Sequence, residues 1–302
     1  MTLRLTAAAL MAASAPLAAQ DFELRREVPA GSRFSLHNII GDVRVEGGSG
    51  RQVEVTARKK PGRHGDPDAV EIKTIETGGG IAVCVYYPGN RVRSADRDDR
   101  DDRDDRDGRG STRRRSSGRN PCDRGQVSWD GDRNDTSVDF VIRVPTGLEL
   151  DLKTVSGDVV GQGLRGGGVD VGTVSGDVYL TDVTATSLEA NSVSGDVELV
   201  RVSSAEIGAE TVSGDVSFGG PIDPRGRYDF KSLSGDVVLT LAKQPDAKVS
   251  AVTFSGRLSS DFPMNRDDSR RRRNRFNATW GNGGAELDLE SFSGDIEIRT
   301  SR

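Results

Sequence analysis

A carboxylate recurs behind the same two residues along the second half of the chain. Asp158, Asp177, Asp196, Asp215, Asp236 and Asp295 each close a Ser-Gly-Asp tripeptide. Carboxylates at a regular interval suggest hard-cation chemistry, which makes Asp158, Asp177, Asp196 and Asp215 the candidate calcium ligands. One carboxylate per repeat falls short of the roughly six to eight oxygens that Ca2+ takes, and the Gly-Asp nonapeptide of calcium-binding β-helices is absent. Turn capping is the preferred reading, because Asp and Ser oxygens accept bonds from nearby backbone N–H groups. Acid–base or glycan chemistry would need a non-repeating cluster of Asp, Lys, Arg or His. The two histidines, His37 and His64, lie outside the repeats. No catalytic residue and no cofactor is expected, and the chain reads as a non-enzyme.

Three other groups carry chemistry. Cys84 and Cys122 are the only cysteines; an even count in an exported chain points to a disulfide. The competing reading makes Cys84 a small core residue of the apolar run from Ile81 to Val85. The basic run Arg270 to Arg273 with Arg275 suits anionic polysaccharide, lipid headgroups or nucleic acid. A solvated loop that pairs weakly with the Asp-rich residues 96–107 is the favoured alternative. Net charge is −5, and no aromatic residues interleave the basic run, so nucleic acid is not an expected partner. Gly281-Asn282-Gly283-Gly284 lacks the Lys-Ser/Thr and the helix of a phosphate loop and reads as a turn.

The turns imply the elements that hold them. Ser-Gly-Asp begins at Ser156, Ser175, Ser194, Ser213, Ser234 and Ser293, with Ser255-Gly256-Arg257 as a variant, at steps of 19, 19, 19, 21, 21 and 38 residues. Six positions before the serine stand Leu150, Val169, Leu188, Ile207, Tyr228, Val249 and Leu287. Four before it stand Leu152, Val171, Ala190, Ala209, Phe230, Ala251 and Leu289. Polar residues such as Asp151, Asp170 and Glu189 lie between, so one face of each segment is apolar with the period of a strand. Three positions after the serine, Val159, Val178, Val197, Val216 and Val237 start a second strand. One repeat cannot bury its own apolar face, and stacked copies can. The expected fold is all-β: a parallel β-solenoid of about 19–21 residues per rung with an irregular N-terminal β cap. The corner glycines Gly157, Gly176, Gly195, Gly214, Gly235, Gly256 and Gly294 are expected at positive φ. The column Thr154, Thr173, Ser192, Thr211, Ser232, Thr253 and Ser291 is expected to bond hydroxyl to hydroxyl from rung to rung.

Residues 1–20 have the short basic start, brief apolar core and small residues of a signal peptide. Localisation in the periplasm or outside the cell follows, and no later stretch reaches the ~20 apolar residues of a membrane helix. The organisation expected is then an irregular β region over 21–147, with a disordered Asp/Arg loop at 94–120, and regular repeats over 148–302, with an insert at 262–280. Phe34 to Val45 aligns as a degenerate rung with Ile40 at the turn position. The final rung, ending in Ile296 to Arg302, has nothing after it to cover its edge. Weak self-association or docking of a partner strand is expected there.

The Val-Ser-Gly-Asp-Val units, together with Asn38-Ile39-Ile40-Gly41-Asp42-Val43 and Gly281 to Leu287, resemble a bacterial putative-adhesin family of unknown function with β-strand repeats. The resemblance covers about residues 28–300 without the charged loop, and it supplies no catalytic residues. It implies an exported or envelope-tethered module, some relatives lying near envelope-stress genes. The expected function is a cell-envelope or surface binding scaffold whose partner is an envelope protein or a glycan. The alternatives are an envelope-stress or regulatory accessory protein working by protein contact and, more distantly, a polysaccharide-active enzyme.

Overall fold

A computed structural model describes residues 22–87, 122, 134–263 and 274–301. The expected signal peptide, the loop 94–120 and Arg270 to Arg273 lie outside these residues. Seven strands precede the repeats: β1 (Phe22–Glu27), β2 (Arg33–His37), β3 (Val43–Gly48), β4 (Gln52–Lys60), β5 (Glu71–Thr77), β6 (Gly80–Tyr86) and β7 (Ser137–Pro145). The array then alternates between two sheets through β8 (Glu149–Lys153), β9 (Val159–Gln162), the short β10 (Arg165–Gly166), β11 (Val169–Gly172), β12 (Val178–Thr181) and the short β13 (Thr184–Ala185). It continues as β14 (Leu188–Ser194), β15 (Val197–Val200), β16 (Glu206–Ser213), β17 (Val216–Gly219), β18 (Arg227–Ser234) and β19 (Val237–Leu241). Five strands finish it: β20 (Ala247–Ser255), β21 (Leu258–Ser260), β22 (Arg275–Trp280), β23 (Ala285–Ser293) and β24 (Ile296–Thr300). Among the described residues the helical content is one 3-10 turn, Pro67–Ala69, and the single 3-10 residue Cys122.

Two 11-stranded sheets hold nearly all of these strands. In the first, Val159, Val178, Val197, Val216, Val237 and Ile296 stand side by side in parallel register. In the second, Leu150, Val169, Leu188, Ile207, Tyr228 and Leu287 do the same. Both apolar columns are buried, as is the Leu152-to-Leu289 column beside the second. Side-chain sizes compensate across the core. Gly161 leaves room that Leu180 fills from the neighbouring rung, and the small Ala190 and Ala209 precede the Phe218–Phe230 pair, whose ring centroids are 5.2 Å apart. The degenerate rung is seated next to the first regular one, with Phe34 opposite Leu150, Val43 opposite Val159 and Ile40 bridged to Ser156. Cys84 of β6 is joined to Cys122 by a disulfide with a Cα–Cα distance of 5.8 Å.

The structure corrects one expectation about the far end. The C-terminal strand is not an edge. β24 lies between β19 and β21, and β23 lies between β18 and β20. The rung carrying Ser255 passes beyond this position, and the last rung inserts behind it, where Ile296 and Ile298 are buried from both sides. The long step from Ser255 to Ser293 gives the chain the slack to do so. The insert 262–280 contributes to the same end of the stack. Its end forms β22, which pairs antiparallel with β20 and sets Phe276 and Trp280 over the core.

Candidate binding ridge

The corner between the two sheets is built by three ladders that run from rung to rung. At Gly157, Gly176, Gly195, Gly214 and Gly235 the backbone has φ between +140° and +155°, a region that L side chains rarely adopt. Gly256 and Gly294 fall outside that region, which corrects the expectation for those two. Space is the requirement common to the column. A Cβ on Gly195 would lie well inside van der Waals contact of the Gly176 carbonyl oxygen, and a Cβ on Gly256 would meet that of Gly294 in the same way.

The aspartates bond across rungs. Asp158 Oδ1 accepts the Asp177 N–H at 2.9 Å, Asp177 that of Asp196 at 2.8 Å, Asp196 that of Asp215 at 2.8 Å, and Asp215 that of Asp236 at 2.7 Å. Asp236 and Asp295 continue the ladder to the Arg257 N–H. Each candidate calcium ligand therefore commits one oxygen to backbone, and among the described residues no group of three or more His, Cys, Asp or Glu is placed to hold a metal ion. The hydroxyl column makes different bonds from those expected. Thr173, Ser192, Thr211, Ser232 and Ser291 donate to the carbonyls of Gly157, Gly176, Gly195, Gly214 and Gly235 at 2.8–3.0 Å. These buried hydroxyls point toward a glycine carbonyl of the adjacent rung, and a buried acceptor left unpaired is costly.

Outside the ladders runs a column that sequence reading missed. Directly before each turn serine stand Val155, Val174, Val193, Val212, Leu233, Phe292 and Phe254, in stacking order. Their exposure rises from 40% at Val155 to 70% at Phe254, and they supply all the exposed large apolar side chains of the described residues except Val141. Phe254 and Phe292 stack with parallel rings, centroids 4.8 Å apart. Single exposed apolar residues are ordinary, whereas a contiguous line of them marks a contact surface. The signal was present in the sequence: these positions share the outward parity of Asp151 and Lys153, yet every one is apolar.

The remaining candidates are dispersed. His37 Nε2 in β2 stands 3.8 Å from Asp151 Oδ2, while His64 lies in the turn after β4, its backbone N–H bonded to Asp135. A shallow trough of about 610 Å3 on the outer face of the second sheet is lined by carboxylates including Asp151, Asp170 and Glu189, with Arg33 and Arg227 at its edge. Tyrosine hydroxyls in contact with the core and the corner are harder to deprotonate than usual. Burial pushes Tyr87 up to about 12 while its hydroxyl donates to the Thr136 carbonyl at 2.6 Å. The Tyr179 hydroxyl is also raised, because it donates to Asp177 Oδ2.

Two sheets with parallel interiors, a repeated Ser-Gly-Asp corner and an outward apolar ridge define an all-β stacked-repeat protein. The chain belongs to the Toastrack DUF4097 family, whose match spans residues 136–299. Two solved structures resemble it at low identity. A "putative cell adhesion protein" from Clostridium sporogenes is 12% identical with a TM-score of 0.36, covering 93% of this chain and 99% of its own. A "putative adhesin" from Bacteroides fragilis is 9% identical with a TM-score of 0.36, covering 92% of this chain and 96% of its own. No curated protein matches the chain.

Proposed function

We propose that this chain is an exported, non-enzymatic β-solenoid of 19–21-residue rungs that serves the cell envelope or surface as a binding scaffold, with the corner ridge as its contact surface. The ridge carries this reading. Fully burying one Val, Leu or Phe is worth about 1.5–3 kcal/mol, so seven side chains left half exposed in one line forgo on the order of 5–10 kcal/mol of burial that a partner would supply. An apolar line suits protein contact better than a glycan, whose hydroxyls need a dense set of donors and acceptors. That chemistry also fits a regulatory accessory protein working by contact. The rigid ladder beneath, bonded at every rung, holds the ridge side chains in place before a partner arrives, which lowers the ordering cost of binding.

Site-specific photo-crosslinking in the producing cell tests the reading. A crosslinking side chain at position 193, 233 or 254 is expected to capture one protein species. The same group at Glu189, on the sheet face, is expected to capture none. Equal capture from both surfaces, or none from the ridge, overturns it.

A further inference from the structure

We infer that the occupant of the ridge is a basic amphipathic helix of a partner protein, its apolar stripe on the Val155-to-Phe254 line and its lysines or arginines over the aspartate row. The inference rests on the ridge being the contact surface and adds the chemistry of what covers it. Charge supplies the first argument. Around the same corner from the ridge, Asp158, Asp177, Asp196, Asp215, Asp236 and Asp295 stand one per rung. Each spends Oδ1 on the backbone of the next rung. Tyr179 takes the second oxygen of Asp177, and Arg257 lies 3.9 Å from that of Asp295. Among the described residues, Asp158, Asp196 and Asp215 have no ion-pair partner for theirs, and Asp236 has only the Arg299 guanidinium within electrostatic reach. An apolar line flanked by unmatched carboxylates is complementary to an apolar line flanked by cations. It disfavours a second copy of the same corner laid acid row to acid row.

Spacing supplies the second argument. Parallel rungs repeat every ~4.8 Å, so the seven ridge residues extend over roughly 29 Å. A helix of about 19–20 residues covers that length at about 1.5 Å per residue. Its apolar stripe presents one side chain per turn of about 5.4 Å, close to one per rung. An extended strand laid along the ridge would offer same-side residues only every ~6.8 Å and would fall out of step within a few rungs.

The test uses the full chain and three labelled 21-residue amphipathic helices with the same leucine stripe, their polar faces Lys, Gln or Glu, read by fluorescence anisotropy. The Lys peptide is expected to bind at least tenfold more tightly than the Gln peptide, and the Glu peptide least. The Lys preference should shrink as salt rises. Asp196→Asn with Asp215→Asn should reduce the preference severalfold and leave Gln-peptide binding unchanged. Val193→Ser with Val212→Ser should weaken all three. Equal affinity for the three peptides, sensitive to the valine substitutions, overturns the basic partner and leaves the ridge as a contact surface. Lys-peptide binding that ignores the valine substitutions reports charge attraction alone and removes both readings. The salt titration on the unsubstituted chain decides the charge argument even where the double asparagine variant folds poorly.

Discussion

At the residue scale the corner is a set of position-specific demands, and they are unequal. Gly195 has φ +147° and no room for a Cβ against the Gly176 carbonyl, so Gly195→Val should cost at least ~3 kcal/mol. Gly163 also has a positive φ, +66°, but nothing lies within 4 Å of its missing Cβ. Gly163→Ala should therefore cost only ~1 kcal/mol. Asp196→Asn keeps an oxygen to accept the Asp215 N–H and should cost about 1 kcal/mol or less. Urea denaturation of the three variants ranks them, and a Gly163→Ala variant as damaged as Gly195→Val would refute the spatial account. These corners were legible in the sequence because glycine and aspartate mark turns by composition. The hydroxyl partners were not, since the acceptor is a backbone carbonyl in a rung 16 residues away for Thr173 and 56 away for Ser291. Tyr87 adds a pH dependence. Its folded pKa of about 12 lies above the ordinary 10, so the unfolded chain releases the proton first. The stabilisation is fully present below pH ~10 and is lost as pH rises toward ~12, at up to about 2–3 kcal/mol. Tyr87→Phe should flatten that part of the alkaline unfolding curve, and an unchanged curve would show that other groups control it.

At the element scale, pairing order departs from chain order, and one residue marks where. Every Asp of the ladder accepts an N–H from the rung stacked beyond it, so the outermost rung has no use for one. The rung that carries Arg257 in place of Asp is the outermost, its backbone N–H donating to Asp295 Oδ1 at 2.8 Å. The Ser-Gly-Arg variant was thus the sequence signature of the terminal rung, while the apolar columns alone fit Leu287 and Leu289 to either order. Ile298 consequently lies inside the first sheet, 2% exposed. Ile298→Lys should destabilise the far end by at least ~3 kcal/mol through lost burial and an unpaired charge. Weakened association of an intact fold is not the expected result. A variant with unaltered thermal unfolding but altered oligomeric state would restore the edge-strand reading. The Cys84–Cys122 bridge spans a sequence separation of 38. In the chain-entropy account it should contribute about 4 kcal/mol, and peptide mass mapping of oxidised protein should recover the linked pair. Two free thiols would remove it.

For the molecule as a whole, the parallel interior is bounded by strands of the opposite sense. β1 and β4 close the first sheet at the N-terminal end, and β5 closes the second, each through antiparallel pairing. At the other end β22 pairs antiparallel with β20, and the first sheet finishes in the three-residue β21. A parallel stack with a bare rung would offer its backbone, its glycine carbonyl and its carboxylate as a template for another copy. The reversed β22 carries no Ser-Gly-Asp corner, so it ends the template, and short edge strands are themselves poor pairing sites. What holds β22 in place is apolar: Phe276 and Trp280 are buried on its inner face, with Phe262 packed on Trp280 at 5.4 Å and the indole N–H bonded to the Pro263 carbonyl. Losing such a ring typically costs about 3–5 kcal/mol, and β22 buries two of them. Phe276→Ser with Trp280→Ser should therefore release β22 and bare β20 while the rungs from β8 to β19 stay folded. Sedimentation should then show assembly that grows with concentration beyond that of the unsubstituted chain, with circular dichroism still dominated by strand. If the variant sediments as the unsubstituted chain does across the same concentrations, the reversed strand is not what stops the stack from growing.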